Sequence, residues 1–220
     1  MTTRDNLLAI VRESLIDTTQ WPDATIVFWI GDAIRDYSHY FPYIVEKTYN
    51  FTGVARSFTI NSFSPAPLRV LCVEYPDGEE PPRYLTPLAM TDAKSWDGPY
   101  YETRGVPPTD IFIGEEAANG ESAVVRYQSI HTIPTGGSSV LTVPDQHLEA
   151  LRLFCVWKAS EEIFLSEEID PDTREFLVSQ KGLNIIRSER LYRNKLEEYR
   201  ITSLSEVTST WTMDKCGRIY

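Results

Sequence analysis

Apolar residues recur every three or four positions in two stretches near the start of the chain. Leu7 and Val11 belong to the first stripe, which predicts a helix over residues 3–16. The second stripe begins after Pro22, a residue suited to a first helical turn, and predicts a helix that ends or bends at Pro42. Two such helices are too small to be stable alone, so other parts of the chain must cover their apolar faces.

The middle of the chain changes to short alternating runs separated by prolines. The strongest run, Leu68–Tyr75, is rich in β-branched and aromatic residues and is followed by the turn sequence Pro76-Asp77-Gly78. Further strands are predicted at 55–61, 100–103, 111–113, 123–130 and 140–143, with turns at 114–121 and 135–139. Short strands at this spacing predict a small antiparallel sandwich or barrel.

Helical periodicity returns after Pro144. Asp145 is predicted to cap one helix, and a second, more sparsely apolar helix is predicted over 172–200. The predicted fold is therefore α+β, a bundle of two N-terminal and two C-terminal helices with an inserted β-sandwich or barrel-like subdomain. Its segments are 1–49 (helical hairpin), 50–143 (β-rich insert), 144–200 (C-terminal helices) and 201–220 (extended tail).

The charge balance changes the functional expectation. The 220 residues include 21 basic and 32 acidic side chains, a net charge of −11. Tight binding to a nucleic-acid backbone needs basic clusters, so this balance argues against it, although DNA could pass without being gripped. Apolar runs no longer than Ile26–Ile30 and Leu153–Trp157 predict no membrane-spanning helix, and the first residues predict no secretory signal. The scattered Cys72, Cys155 and Cys216 predict free thiols.

Motifs for catalysis are missing from the sequence. There is no phosphate-binding loop, dinucleotide-binding glycine pattern, nucleophile elbow or zinc-protease helix. His39, His131 and His147 fall in separate predicted elements, and no motif pairs them with a nucleophile. We therefore predict no enzymatic activity, no cofactor and no metal site.

Three stretches in order resemble the head-to-tail adaptor proteins of tailed bacteriophages, also called connector or head completion proteins. Trp21-Pro22-Asp23-Ala24 followed by residues 29–37 resembles the second helix of that family. Val73-Glu74-Tyr75-Pro76 followed by residues 81–85 resembles the insert of its longer members. Residues 141–145, leading into Val156-Trp157-Lys158-Ala159, resemble its returning helix. Together the resemblance covers about residues 5–200.

The resemblance implies a structural protein of the virion neck, made in the host cytoplasm. Family members form a ring, typically of twelve copies, beneath the portal protein; the ring extends the channel for double-stranded DNA and presents a platform to the tail. By analogy the helices surround the channel, the β insert faces outward or toward the tail, and residues 187–220 reach the portal. The residues assigned to portal docking are Tyr192, Tyr199, Trp211, Met213, Arg218, Ile219 and Tyr220. The residues assigned to a tail-facing or partner loop are Trp96, Tyr100 and Tyr101.

Two other functions stay open at this point. The β insert, its aromatic residues and its carboxylates are compatible with a carbohydrate-binding module or a cell-wall hydrolase. The carboxylates in question are Glu74, Asp110, Glu115 and Glu116. A cytosolic scaffold unrelated to phage is the third hypothesis.

Overall fold

The computed structural model describes residues 2–15, 20–88, 98–166 and 174–209. These residues form an α+β structure that divides into two compact units. The helical unit contains the described residues up to Phe41 and those from His131 onward, and the sheet unit contains Pro42–Ile130. Each unit has its own hydrophobic core.

The first two helices follow the predicted stripes. α1 spans Arg4–Ser14, and the side chain of its N-cap residue Thr3 accepts a hydrogen bond from the Asn6 backbone N–H at 3.4 Å. α2 spans Asp23–Tyr40. It ends there because Phe41 precedes Pro42, and the residue before a proline avoids helical backbone angles; its φ is −129°.

The C-terminal half contains a short 3-10 helix, Asp145–His147, then α3, Leu148–Ser166, and α4, Arg174–Ser209. Asp145 does not cap a helix as predicted, because its carboxylate accepts a hydrogen bond from the Thr2 backbone N–H at 2.9 Å. The tail predicted from residue 201 is helical up to Ser209. Thr202 and Ser203 are compatible with the helix because their hydroxyls donate to carbonyls of the preceding turn, each at 2.9 Å.

The core of the helical unit joins elements that are distant in sequence. α3 packs against α1, α2 and α4. The apolar stripe of α2, which includes Ile26, Ile30 and Ile34, is fully buried in the same cluster as Leu151 and Cys155 of α3. The cover that the N-terminal hairpin needs is therefore supplied by the returning chain. Within the described residues, no helix combines the length and the apolar content required to cross a bilayer.

The thiols differ from one another. Cys155 is a free thiol, and complete burial raises its pKa. Cys72 is disulfide-bonded. The prediction of three free thiols is therefore wrong for Cys72, because the spacing of cysteines in a sequence does not reveal which of them meet in the fold.

The sheet unit contains two sheets among its described residues. Its strands are β1 (Tyr43–Asn50), β2 (Ala55–Thr59), β3 (Arg69–Glu74), β4 (Thr86–Pro87), β5 (Tyr100–Arg104), β6 (Asp110–Ala117) and β7 (Ser122–Ser129). One sheet has the order β1-β7-β3 and the other β2-β6-β5-β4. The strands pair antiparallel, apart from the short β4, which pairs parallel with β5 and departs from the predicted antiparallel pattern.

Three boundaries differ from those predicted. β1 begins at Tyr43, inside the range assigned to the helical hairpin, because Pro42 starts an extended segment that pairs along all of β7. β6 continues to Ala117, into the predicted turn at 114–121. The predicted strand at 140–143 is reduced to an isolated bridge between Val140 and Thr3, because the partner segment becomes helical at Arg4, directly after Thr3.

Alternating residues of the two sheets form the second core. Val125 and Tyr127 of β7 and Ile111 and Ile113 of β6 are fully buried. Gly114 of β6 lies directly beneath the ring of Tyr100 on β5. A Cβ atom at Gly114 would lie 2.6 Å from Tyr100 Cδ1 and 2.5 Å from the Gly98 carbonyl oxygen.

We therefore predict that Gly114→Ala destabilises the sheet unit by about 1–3 kcal/mol, because a methyl group at this position overlaps a backbone oxygen that cannot swing away. Gly53→Ala is the matched control, since a Cβ there meets nothing within 4 Å. Urea unfolding of the full chain measures both variants. Equal midpoints for the two variants would contradict the proposed close contact.

Candidate functional site

Among the described residues, the β6 carboxylates Asp110, Glu115 and Glu116 do not form an acid–base pair. Glu115 is in an ion pair with Arg83, whose Nη1 lies 2.9 Å from Glu115 Oε2. Glu116, the next residue of β6, points to the opposite face of the strand. Asp110 accepts a hydrogen bond from the Thr109 hydroxyl at 2.7 Å. A glycosidase needs two carboxyl groups facing one bond across a cleft, so this arrangement gives the carbohydrate hypothesis no support.

Two of the three histidines meet in the helical unit. The rings of His131 and His147 lie 5.4 and 5.8 Å from the ring of Tyr37, whose hydroxyl is hydrogen-bonded to His147 Nδ1. His147 also stacks on Tyr199 of α4 at 4.1 Å. Across the described ranges, no group of three or more His, Cys, Asp or Glu side chains is arranged to hold a metal ion. These rings therefore pack α2, the 3-10 helix and α4 together.

His131 is a buried residue with hydrogen bonds at both ring nitrogens. Its Nε2 lies 3.1 Å from the Phe41 carbonyl oxygen and its Nδ1 lies 3.0 Å from the Thr142 hydroxyl. Its backbone N–H donates to the Ser38 hydroxyl at 3.0 Å. Burial lowers the pKa of His131, hydrogen bonds to the backbones of Phe41 and Thr142 oppose this shift, and the neighbouring His147 adds to it.

The predicted tail-facing tyrosines lie inside the sheet unit. Tyr100 and Tyr101 are both buried, and the Tyr101 hydroxyl donates to the Leu71 carbonyl at 3.3 Å. β5 is an inner strand of its sheet, so rings on it pack into the unit instead of projecting from a loop. Neither ring is available to a partner in this conformation. Trp96 lies outside the described residues.

The predicted portal-docking tyrosines attach α4 to the helical core. Tyr192 is 2 % exposed and packs edge-on against Phe154 with ring centroids 5.3 Å apart. Its hydroxyl donates to Asp36 Oδ2 of α2 at 2.5 Å, and burial together with this bond raises its pKa. Tyr199 is 8 % exposed. Both residues therefore hold the helix in place. Trp211, Met213, Arg218, Ile219 and Tyr220 lie outside the described residues.

The opposite side of α4 carries exposed apolar residues. Leu183 and Ile186 are 63 % and 61 % exposed, and Leu191 is also exposed. At about 100° per residue, Leu183 lies about 180° around the helix from the buried Tyr192. A helix with apolar side chains opposite its buried stripe is typical of an element that contacts a further surface. We call Leu183, Ile186, Arg187, Arg190 and Leu191 the α4 outer face.

Charge distinguishes this face from the rest of α4. Farther along the helix, Arg193 pairs with Glu189 at 2.8 Å and Arg200 pairs with Glu197 at 2.8 Å. Arg187 and Arg190 are exposed, and in the described part of the chain neither has an ion-pair partner. The α4 outer face is thus apolar and positively charged in an otherwise acidic protein. The sequence shows the apolar residues of this face, but it does not show that they point away from the core.

We predict that Tyr192→Ala destabilises the helical unit by about 3–5 kcal/mol, because it removes a buried ring and leaves Asp36 without its donor. Leu183→Ala on the outer face should change stability by less than about 0.5 kcal/mol. Thermal and urea unfolding compare the two variants. Similar small losses for both would show that Tyr192 is not the buried attachment described above.

The burial of His131 also predicts that the free energy of unfolding depends on pH. In the unfolded chain a histidine has a pKa of about 6.5, above that of folded His131. As the pH falls below the unfolded-state pKa, the unfolded chain takes up a proton before the folded chain does. The free energy of unfolding therefore falls by at most about 1.4 kcal/mol per pH unit. Above the unfolded-state pKa, His131 does not make the free energy of unfolding depend on pH.

His131→Gln should therefore lose less stability than the wild-type chain between pH 7 and pH 5, as measured by urea unfolding at each pH. His39→Gln changes an exposed histidine of α2 and is the matched control. Parallel stability curves for the wild type and His131→Gln would contradict this prediction.

Comparison with known proteins identifies one family. The model described as SU10 adaptor protein matches residues 2–208, nearly the whole chain. A comparison with curated proteins found no match. The family match confirms the resemblance to phage head-to-tail adaptors and supports a structural role in the virion. An exposed apolar and basic helix face is consistent with such a role. The chain belongs to the SU10 adaptor protein family, and it is a phage structural adaptor.

Proposed function

We propose that this protein forms a ring in the neck of a tailed phage, where it joins the portal to the tail and extends the DNA channel. The observation that carries the proposal is the adaptor-family match over residues 2–208. A protein that connects two other components needs surfaces beyond its own cores. The α4 outer face is one surface of the described chain with the required exposure.

The charge supports a channel through which DNA passes without specific binding. The net charge of −11 makes the average surface repel a phosphate backbone. Repeated around a ring of about twelve copies, the number typical of the family that the sequence resembles, this charge would keep the DNA from adhering to the wall during packaging and ejection.

The two units suggest a division of tasks. We assign the bundle formed by both ends of the chain to the ring and the portal, and the β-rich insert, as a sandwich-like subdomain, to the tail side. The separate cores of the two units support this assignment, because each can keep its fold while its surface contacts a different partner. Trp96 remains a predicted tail-side contact.

We assign portal docking to the segment that follows α4. Tyr192 and Tyr199 anchor this helix to the core, and the helix extends to Ser209, directly before the segment. That segment contains Trp211, Met213, Arg218, Ile219 and Tyr220, which combine aromatic, apolar and basic side chains suited to a protein interface. In this proposal the two tyrosines act through the helix and do not touch the portal.

Co-sedimentation with the portal protein of the same phage tests the function. We expect several copies of the chain to sediment with each portal ring, because the proposed adaptor assembles on that template. A chain that stays monomeric and unbound at saturating portal would contradict the proposed function. Monomers in the absence of portal would not, since the template supplies part of the assembly energy.

Removal of residues 210–220 tests the docking segment separately. Both chains are kept in reductant, because the cut also removes Cys216. We then expect the shortened chain to keep the melting temperature of the helical unit, because the described buried residues of that core precede the cut, and to lose at least about tenfold in portal affinity. A shortened chain that binds the portal like the full chain would contradict the assignment of the tail.

A further inference from the structure

The helical unit has a second outer face, on α1. Leu7 and Val11 point into the core, which leaves Asn6, Ile10 and Glu13 exposed at spacings of four and three residues. Ile10 is 41 % exposed. Glu13 has no ion-pair partner among the described residues, in contrast to Asp23 and Asp32, which pair with arginines. We call Asn6, Ala9, Ile10 and Glu13 the α1 outer face.

The two outer faces are complementary in charge and both contain exposed aliphatic side chains. The α4 outer face presents Arg187 and Arg190 beside Leu183 and Ile186, and the α1 outer face presents the Glu13 carboxylate beside Ile10. None of these three charged groups has an ion-pair partner among the residues that the structure describes. Both belong to one compact unit. The two faces lie on different helices with different neighbours. α1 packs against α2 and α3, whereas α4 packs chiefly along α3.

We propose that copies of this chain associate head to tail, with the α4 outer face of one copy bound to the α1 outer face of the next. Two different faces on one compact unit give a heterologous contact, and a repeated heterologous contact closes into a ring when its rotation permits. The inference rests on the proposed function for the existence of a ring, and adds which two surfaces build it.

A protein surface fits the α4 outer face better than DNA does. Phosphate backbones are bound by clustered cations with no need for aliphatic neighbours. Here the two exposed arginines stand among three exposed branched aliphatic residues, which are stabilised when another apolar surface covers them. Arginine beside apolar side chains is also typical of protein interfaces.

Charge reversal in the full-length chain tests the contact. One variant carries Arg187→Glu and Arg190→Glu, and a second carries Glu13→Arg. All three residues are exposed, so circular dichroism and thermal unfolding should match the wild type. The matched control carries Arg193→Glu and Arg200→Glu, the same change of charge on the same helix at a different angular position.

Assembly is measured by sedimentation velocity over a concentration series, with and without the portal protein of the same phage. We expect each reversed variant alone to assemble at least about tenfold more weakly than the wild type, since like charges then face each other. The control should assemble like the wild type. An equimolar mixture of the two reversed variants should recover assembly, because alternating copies restore opposite charges at every contact. Added salt should weaken wild-type assembly.

The possible results distinguish the α4–α1 contact from the proposed function. Wild-type assembly on the portal together with unchanged assembly of the reversed variants would overturn the α4–α1 contact and leave the proposed function intact. Failure of the mixture to recover assembly would also overturn it. Reversed variants that assemble normally but lose affinity for a 30-base-pair DNA duplex would make the α4 face a nucleic-acid surface. No wild-type assembly under any condition would overturn both proposals.

Discussion

Packing of α2 against α3 is the interaction on which the rest of this structure depends. The buried stripe of α2 is covered by a helix that begins at Leu148, so the two ends of the chain must meet before either is stable. This closure places α3 at the centre of the unit, in contact with α1, α2 and α4. It also forces the chain between Pro42 and Ile130 to supply its own core, which it does with two sheets.

The exposed face of α4 follows from that central packing. Tyr192, Leu196 and Tyr199 are spaced four and three residues apart and attach one side of α4 to the core, which leaves the other side exposed. Hydrogen bonds from Tyr192 to Asp36 and between Tyr37 and His147 link the helices with groups that tolerate burial only when paired. Because these polar contacts have strict geometry, they set the direction of the exposed face that we assign to assembly.

Helices and strands with strong periodicity could be predicted from the sequence, and others could not. The stripes of α1 and α2 and the run that forms β3 are visible because each contains a repeated apolar spacing. β1 is not, since Glu46, Lys47 and Thr48 interrupt its alternation and its partner β7 lies far along the chain. Tyr192 and Tyr199 stand in a charged helix, and only tertiary packing decides which way such rings point. The α4 outer face could not be predicted for the same reason, because a sequence does not show which of its charged side chains form ion pairs.

Cryo-electron microscopy of portal particles incubated with the full-length chain tests the central claim most directly. The account predicts a closed ring of repeated copies beneath each portal, coaxial with its channel, with the helical unit of every copy in the ring wall. Portal particles without added density, or with single copies bound at scattered positions and no ring, would contradict it.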